Sequence, residues 1–244
     1  MSIQEFSNSF DTMLNSYAHQ FNFGEQGNMA DIVLDEYEKS LFLTQAQDEL
    51  VVSLYNGKNL GGDSFENSEE LRRYLSDLVK DKEYTVDDAS EFVQIDSKSL
   101  FFTLPQDLWF ITYESVNLVN DGRCGDNRWV EVVPVTQDEY HKIKKNPFRG
   151  TTSRRALRLD VSGRQVEIVS EQAVSKYYLR YIKHTQPIIL EDLRGTGISG
   201  VLQIKGKTGP MECELHELLH YQILERAVRM AVQAKGLSGV RNKE

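Results

Sequence analysis

The chain has 244 residues, 40% of them hydrophobic and 27% charged, which suits one large folded domain or a domain with an appendage. That composition excludes a wholly disordered, collagen-like or disulfide-stapled chain. Thirty-seven acids against 28 bases give a net charge of −9, so the surface as a whole repels phosphate and disfavours a sequence-independent nucleic-acid binder.

The first residues, MSIQEFSNSFDTM, have neither the basic region nor the apolar run of a secretory leader. No stretch approaches the ~18 consecutive apolar residues of a membrane span. Cys124 and Cys213 show no metal-binding spacing and read as free thiols of a reducing compartment, so folding in a cytosol is expected, with no membrane partner.

In chain order, Ile3, Phe6, Phe10, Met13, Leu14, Tyr17 and Phe21 recur three and four apart and predict an amphipathic helix over residues 3–21. FNFGEQGN loosens the backbone after it, so residues 1–27 read as a helical arm. Its apolar stripe needs cover from the rest of the chain or from a neighbouring subunit. Thr44 with Gln47 resembles a capping box and Gly57 a stop, predicting a helix over residues 45–55. Asn67 or Ser68 caps a further helix, ELRRYLSDLVKD, with Leu71, Tyr74, Leu75, Leu78 and Val79 on its apolar side, and residues 28–88 are expected to be a helical segment.

Past Asp88 the pattern turns to β-branched and aromatic runs: FVQI, SLFFTL, LWFITYESVNLV, RWVEVVPV, RALRLDV, QVEIVS, YYLRYI and PIIL. TQDEYHKIKK interrupts them as a short helix, and VSG makes a tight hairpin turn. Most links are too short for parallel crossovers, so the sheet is expected to be mainly antiparallel. A long helix over about residues 214–235, apolar at Leu215, Leu219, Ile223, Ala227, Met230 and Ala234, closes a β-rich core spanning 89–236. Residues 237–244 read as a flexible tail. The fold class is α+β: a helical N-terminal third, a mainly antiparallel β core and a long C-terminal helix packed on the sheet.

Three motifs suggest chemistry. His216-Glu217-Leu218-Leu219-His220 matches H-E-x-x-H, in which two imidazoles one helical turn apart grip zinc beside a glutamate base. The third ligand is absent from the expected downstream pattern, so core or subunit-contact histidines are the expected reading, with an HExxH zinc hydrolase as the alternative. Residues 195–200, GTGISG, match G-x-G-x-x-G, but VLQIKGKTGP reads as strand and turn where a pyrophosphate-binding helix should begin. Gly206-Lys207-Thr208 imitates the end of a P-loop, yet the position that requires the first glycine is Val201. No catalytic residue, metal ligand or cofactor is expected.

The uncommon feature is electrostatic. KIKKNPFRGTTSRRALR, residues 142–158, holds seven bases and no acid, so against a chain total of −9 the remainder carries −16. Asn146-Pro147 and Gly150 give a rigid turned loop with Phe148 as an apolar anchor at its tip. The candidate partner-binding residues are Lys144, Lys145, Pro147, Phe148, Arg149, Arg154 and Arg155, facing an acidic partner, DNA phosphates or solvent.

LTQAQDELVVSLYNG, VTQDEYHKIKKNPFRG, RALRLDV, VEIVS, YYLRYIKHTQPIIL and CELHELLHYQILERAVRMAVQA, in that order from about Leu43 to Ala234, resemble a structural protein of crAss-like bacteriophages. The resemblance implies a virion head-to-tail connector, many copies of which form a ring between portal and tail. The copy number it suggests, twelve, follows by analogy with portals. Its implied partners are copies of itself, the portal protein and adjacent ring or tail proteins, with genome DNA passing through the lumen without specific binding. No catalysis is implied.

Overall fold

The computed structural model describes residues 1–21, 34–58, 62, 64–89, 96, 98–119, 128–195 and 201–234, the side chains of 18–21 excepted. The FVQI run, Cys124, residues 196–200 of the glycine motif and the expected tail lie outside the described residues. The chain divides into two compact units, one from Met1–Leu78 with Thr185–Glu244 and the other from Val79–His184.

The first unit is helical. Its helix α1 spans Ile3–Phe21, and its stripe is covered within this chain, with Phe6, Phe10 and Leu14 buried. Helix α2 spans Glu36–Tyr55, starting earlier than the sequence predicts because the Asp35 carboxylate caps it by accepting from the Glu38 amide at 2.6 Å. Its stop is as expected, with Gly57 at φ 72° in the left-handed region that relieves a helix end.

Thr44 and Gln47 do not cap the helix. They lie buried in mid-helix with Ser40 and take up the backbone of the segment around Ile188. Thr44 Oγ1 accepts from the Ile188 amide at 3.1 Å, Ser40 Oγ accepts from Leu190 at 3.0 Å, and Gln47 Nε2 donates to the Gln186 carbonyl at 2.7 Å. PIIL is therefore extended but belongs to no strand of the sheet: helix side chains supply the partners its buried backbone requires. It makes an isolated bridge from Ile189 to Met211.

Helix α3, Glu69–Tyr74, is capped by Ser68 and ends earlier than predicted; Leu71, Leu75 and Leu78 are buried before the chain turns extended at Val79. A buried lysine ties α1 to α2, since Lys39 Nζ lies 2.6 Å from Asp11 and 2.9 Å from Glu36.

The second unit is a curled sheet. Strands β1 (Val79–Thr85), β2 (Leu100–Thr103), β3 (Leu108–Leu118), β4 (Arg128–Val135), β5 (Arg155–Ser162), β6 (Gln165–Val169) and β7 (Val174–Lys183) lie in the order β1-β7-β3-β4-β5-β6-β2. Every neighbouring pair is antiparallel except β4 and β5. That pair is joined by a link long enough for a crossover, which contains helix α4, Gln137–Lys144. The VSG turn joins β5 to β6 with Gly163 at φ 54°.

The two edge strands face each other: the Tyr84 ring lies 5.5 Å from Phe102, and its hydroxyl donates to the Thr103 carbonyl at 2.9 Å. The concave face holds Tyr84, Phe102, Val116, Val130, Ala156, Ile168 and Tyr177. Alternation along β5 sends Ala156 and Arg158 inward and Leu157 and Leu159 outward, where they pack with Tyr140 of α4 and Val169. Buried inside are Glu114 and Arg158, 2.5 Å apart, with the Tyr177 hydroxyl donating to the other Glu114 oxygen.

In the first unit, helix α5 spans Glu217–Ala234 and packs on α2 and α1 through Leu219, Ile223, Ala227, Val228 and Ala231. The fold is α+β. No described helix is long and apolar enough to cross a membrane.

Candidate docking surface

The basic loop begins where α4 fails to continue. Lys145 is the last residue in helical conformation, and Pro147 cannot extend an α-helix. Asn146 organises the turn: its amide donates to the Ile143 carbonyl at 2.9 Å, and its Oδ1 accepts from the Phe148 amide at 2.9 Å. Its carbonyl accepts from Arg149 at 3.2 Å and Gly150 at 2.8 Å. A Cβ on Gly150 would sit 2.9 Å from the Asn146 carbonyl oxygen and 3.1 Å from that of Ile143, so this close approach requires glycine.

Arg155 completes the brace by donating through Nη1 to the Phe148 carbonyl at 2.7 Å. Phe148 thus has its amide and carbonyl both held while its ring stands 86% exposed. With the backbone beneath it held, this large apolar ring in solvent needs only its side chain ordered on binding, an arrangement suited to an anchor.

The seven predicted residues divide in role. Lys145, Pro147, Phe148, Arg149 and Arg154 are exposed. Lys144 is turned aside by an ion pair to Asp96 at 2.7 Å, and that bond raises its pKa above the ordinary lysine value. Arg155 braces the loop. Arg158, at the end of the basic run, is withdrawn altogether by Glu114 and by Asp160 at 3.2 Å. The positive surface is therefore carried by Lys142, Lys145, Arg149 and Arg154, none of which makes an ion pair among the described residues.

The H-E-x-x-H residues are placed differently from a zinc site. Helix α5 starts at Glu217, leaving His216 just ahead of it with Nδ1 turned back to accept from the Leu218 amide at 3.4 Å. His220 is buried beside Phe6, with ring centroids 5.3 Å apart. Its Nδ1 lies 2.7 Å from the Met1 amine, and its Nε2 lies 2.9 Å from the Leu215 carbonyl. An ammonium donor on one side and a carbonyl acceptor on the other occupy both ring nitrogens, leaving no lone pair for a metal. Burial holds the His220 pKa below the usual histidine value.

Among the described residues no group of three His, Cys, Asp or Glu side chains converges on a metal-sized site. Burial pushes the Cys213 thiol up to about 11, and its sulfur lies 3.2 Å from Gln47 Oε1. The P-loop imitation is a turn, with Lys205 at φ 48° and Gly206 at φ 75° between Ile204 and Lys207, which pair with each other.

Sequence reasoning missed a second exposed feature on the convex face of the sheet. Tyr113 of β3 and Trp129 of β4 flank Tyr178 of β7 at 6.1 and 6.4 Å, and the Arg180 guanidinium lies 5.9 Å over the Tyr178 ring. Strand alternation was the available signal, but it does not say which face meets solvent.

These features define, by class, an α+β protein whose candidate site is a contact surface. The family model described as phage tail ring protein 3/4 matches residues 1–243, and the chain belongs to that family. It is 44% identical over 238 residues to Ring protein 3 of Bacteroides phage crAss001, covering 96% of each chain. It is 29% identical over 240 residues to Ring protein 4/5 of the same phage, covering 96% of this chain and 93% of that one. The match takes in α1, which lies before the stretch carrying the sequence resemblance. The protein is thus a structural tail ring protein of a crAss-like phage.

Proposed function

We propose that the chain is a subunit of a homo-oligomeric ring of twelve copies in the phage neck, joining portal to tail and letting the genome pass. The observation that carries this reading is end-to-end similarity to two ring proteins of one phage. The exposed, braced Phe148 within a basic loop supports it, because a ring subunit must present a distinct surface to the next copy or the next ring. The docking residues are Lys145, Pro147, Phe148, Arg149 and Arg154, with Lys144 and Arg155 holding the loop in shape. With −16 on the rest of the chain, a lumen wall drawn from it repels DNA and lets it slide without specific binding.

Reversing charge at Lys145 and Arg149 tests the docking role. Lys144 is the poorer choice because glutamate there would face Asp96. Lys145→Glu with Arg149→Glu should leave the circular dichroism and melting of the isolated chain unchanged while abolishing tailed particles in a complementation assay. Normal particle yield would remove the loop from assembly. A purified neck lacking this chain, weighed by native mass spectrometry, would remove the ring role itself.

A further inference from the structure

We infer that the free edge of β1 is built to refuse a second copy of this chain: its charges alternate so that antiparallel pairing with another β1 opposes like charges in every register. The ring reading explains the need for such a guard, since a ring holds identical sheets at high local concentration. The refusal itself follows from the strand alone.

β1 lies at one end of the sheet order, paired with β7. The other end, β2, is four residues long, which leaves little edge to extend. β1 has seven residues, and Lys80, Asp81, Lys82 and Glu83 in its middle are all exposed. An unguarded edge of that length is a template for strand addition. Alternation starting from Tyr84, which is buried in the concave core, sends Lys82 and Lys80 to the concave side. The Lys82 ammonium accordingly lies 4.5 Å over the Tyr84 ring. Asp81 and Glu83 go to the convex side, where Glu83 pairs with Lys176 of β7 at 2.6 Å. Lys80, Asp81 and Lys82 make no ion pair among the described residues. The edge is thus basic on one side and acidic on the other.

Two copies meeting antiparallel at this same free edge are related by a two-fold axis normal to the sheet, so concave side continues into concave side. Residues directly opposite in an antiparallel pair share a face. Wherever charged residues are opposed, lysines therefore meet lysines and acids meet acids. A slip by two residues changes the partners but not their sign, and a slip by one would set the buried face against the solvated one. Inward-pointing lysines are a general protection of edge strands, and here the outward acids repeat it on the other side.

Two variants that keep the net charge at −9 test the guard. The first carries Lys80→Thr, Asp81→Thr, Lys82→Thr and Glu83→Thr, and threonine suits an exposed strand. Without opposed charges it should form assemblies larger than those of the wild type in sedimentation velocity. Hydrogen exchange at its β1 amides should slow at least about tenfold as concentration rises. The second reverses the alternation with Lys80→Asp, Asp81→Lys, Lys82→Asp and Glu83→Lys. Alone it should refuse itself as the wild type does. Mixed with wild type, it sets acid against base on both sides, and β1 exchange should slow in the mixture. Circular dichroism checks each fold, and either variant decides alone if the other fails to fold. A threonine variant whose β1 exchange stays independent of concentration would overturn the inference, as would a mixture showing no slowing. Wild-type β1 exchange that slows on oligomerisation would overturn it too. A wild-type chain that stays monomeric would remove the ring reading and leave the β1 result standing.

Discussion

Arg158→Met should be among the most damaging single substitutions in the sheet unit. The Arg158 side chain is 11% exposed and that of its partner Glu114 only 5%, so methionine leaves a carboxylate in the concave core with the Tyr177 hydroxyl as its remaining hydrogen-bond donor among the described residues. Breaking a buried pair by removing one partner costs about 3–5 kcal/mol. Asp160, well exposed at 3.2 Å from the guanidinium, shows that one side of Arg158 reaches toward water, which favours the lower end, about 3 kcal/mol. Combining Arg158→Met with Glu114→Gln removes both charges and keeps an acceptor for Tyr177, so the double variant should cost only about 1 kcal/mol. Urea unfolding followed by tryptophan fluorescence measures both, and with a slope of about 2 kcal/mol per molar the single variant should unfold more than ~1 M earlier. If the single variant were no less stable than the double, the buried pair would not hold the sheet as described.

Three further outcomes follow from the same structure. Thr44→Val keeps the shape but strips the Ile188 amide of its partner inside the helical unit, and should cost about 1–3 kcal/mol in a denaturant titration. Gly150→Ala drives a methyl group into the Asn146 and Ile143 carbonyls and should cost about 1–3 kcal/mol, loosening the loop enough to raise hydrogen exchange at the Phe148 amide. Stability should fall in alkali: burial raises the Tyr84 and Tyr177 phenols, helped at Tyr177 by the facing Glu114, and pushes Tyr181 to about 12 with help from Asp107. Below about pH 10 these phenols are protonated in both states and their contribution is complete; above it the unfolded chain releases its protons first, so stability drops as pH rises through the folded values. Spectrophotometric titration should therefore find these three among the 11 tyrosines ionising together with unfolding rather than before it.

The elements written in local pattern were legible in the sequence: the stripe of α1, the glycine stop of α2, the Ser68 cap, the VSG hairpin and the alternation of β5. What was not legible depends on partners far away in the chain. Ser40, Thr44 and Gln47 are polar residues on a buried helix face, which weakens the periodicity that marks a helix. Their purpose appears only when the Gln186–Leu190 backbone lies against them. The same absence of local signal made PIIL resemble a strand of the sheet. The basic island was visible as a run of letters, but Lys144 and Arg158 are removed from its surface by Asp96 and Glu114, which no spacing rule connects to them. His216 and His220 carry the letters of a zinc site, yet the helix begins between them, so the one-turn spacing never becomes a shared face.

The central claim is that this chain acts through contacts between copies. An electron-microscopy reconstruction of the purified particle, with the chain traced in the neck and its copies counted, tests that claim most directly. A closed ring of twelve copies is the predicted result. A particle in which the chain is missing, or present only as isolated copies without a ring, would contradict it.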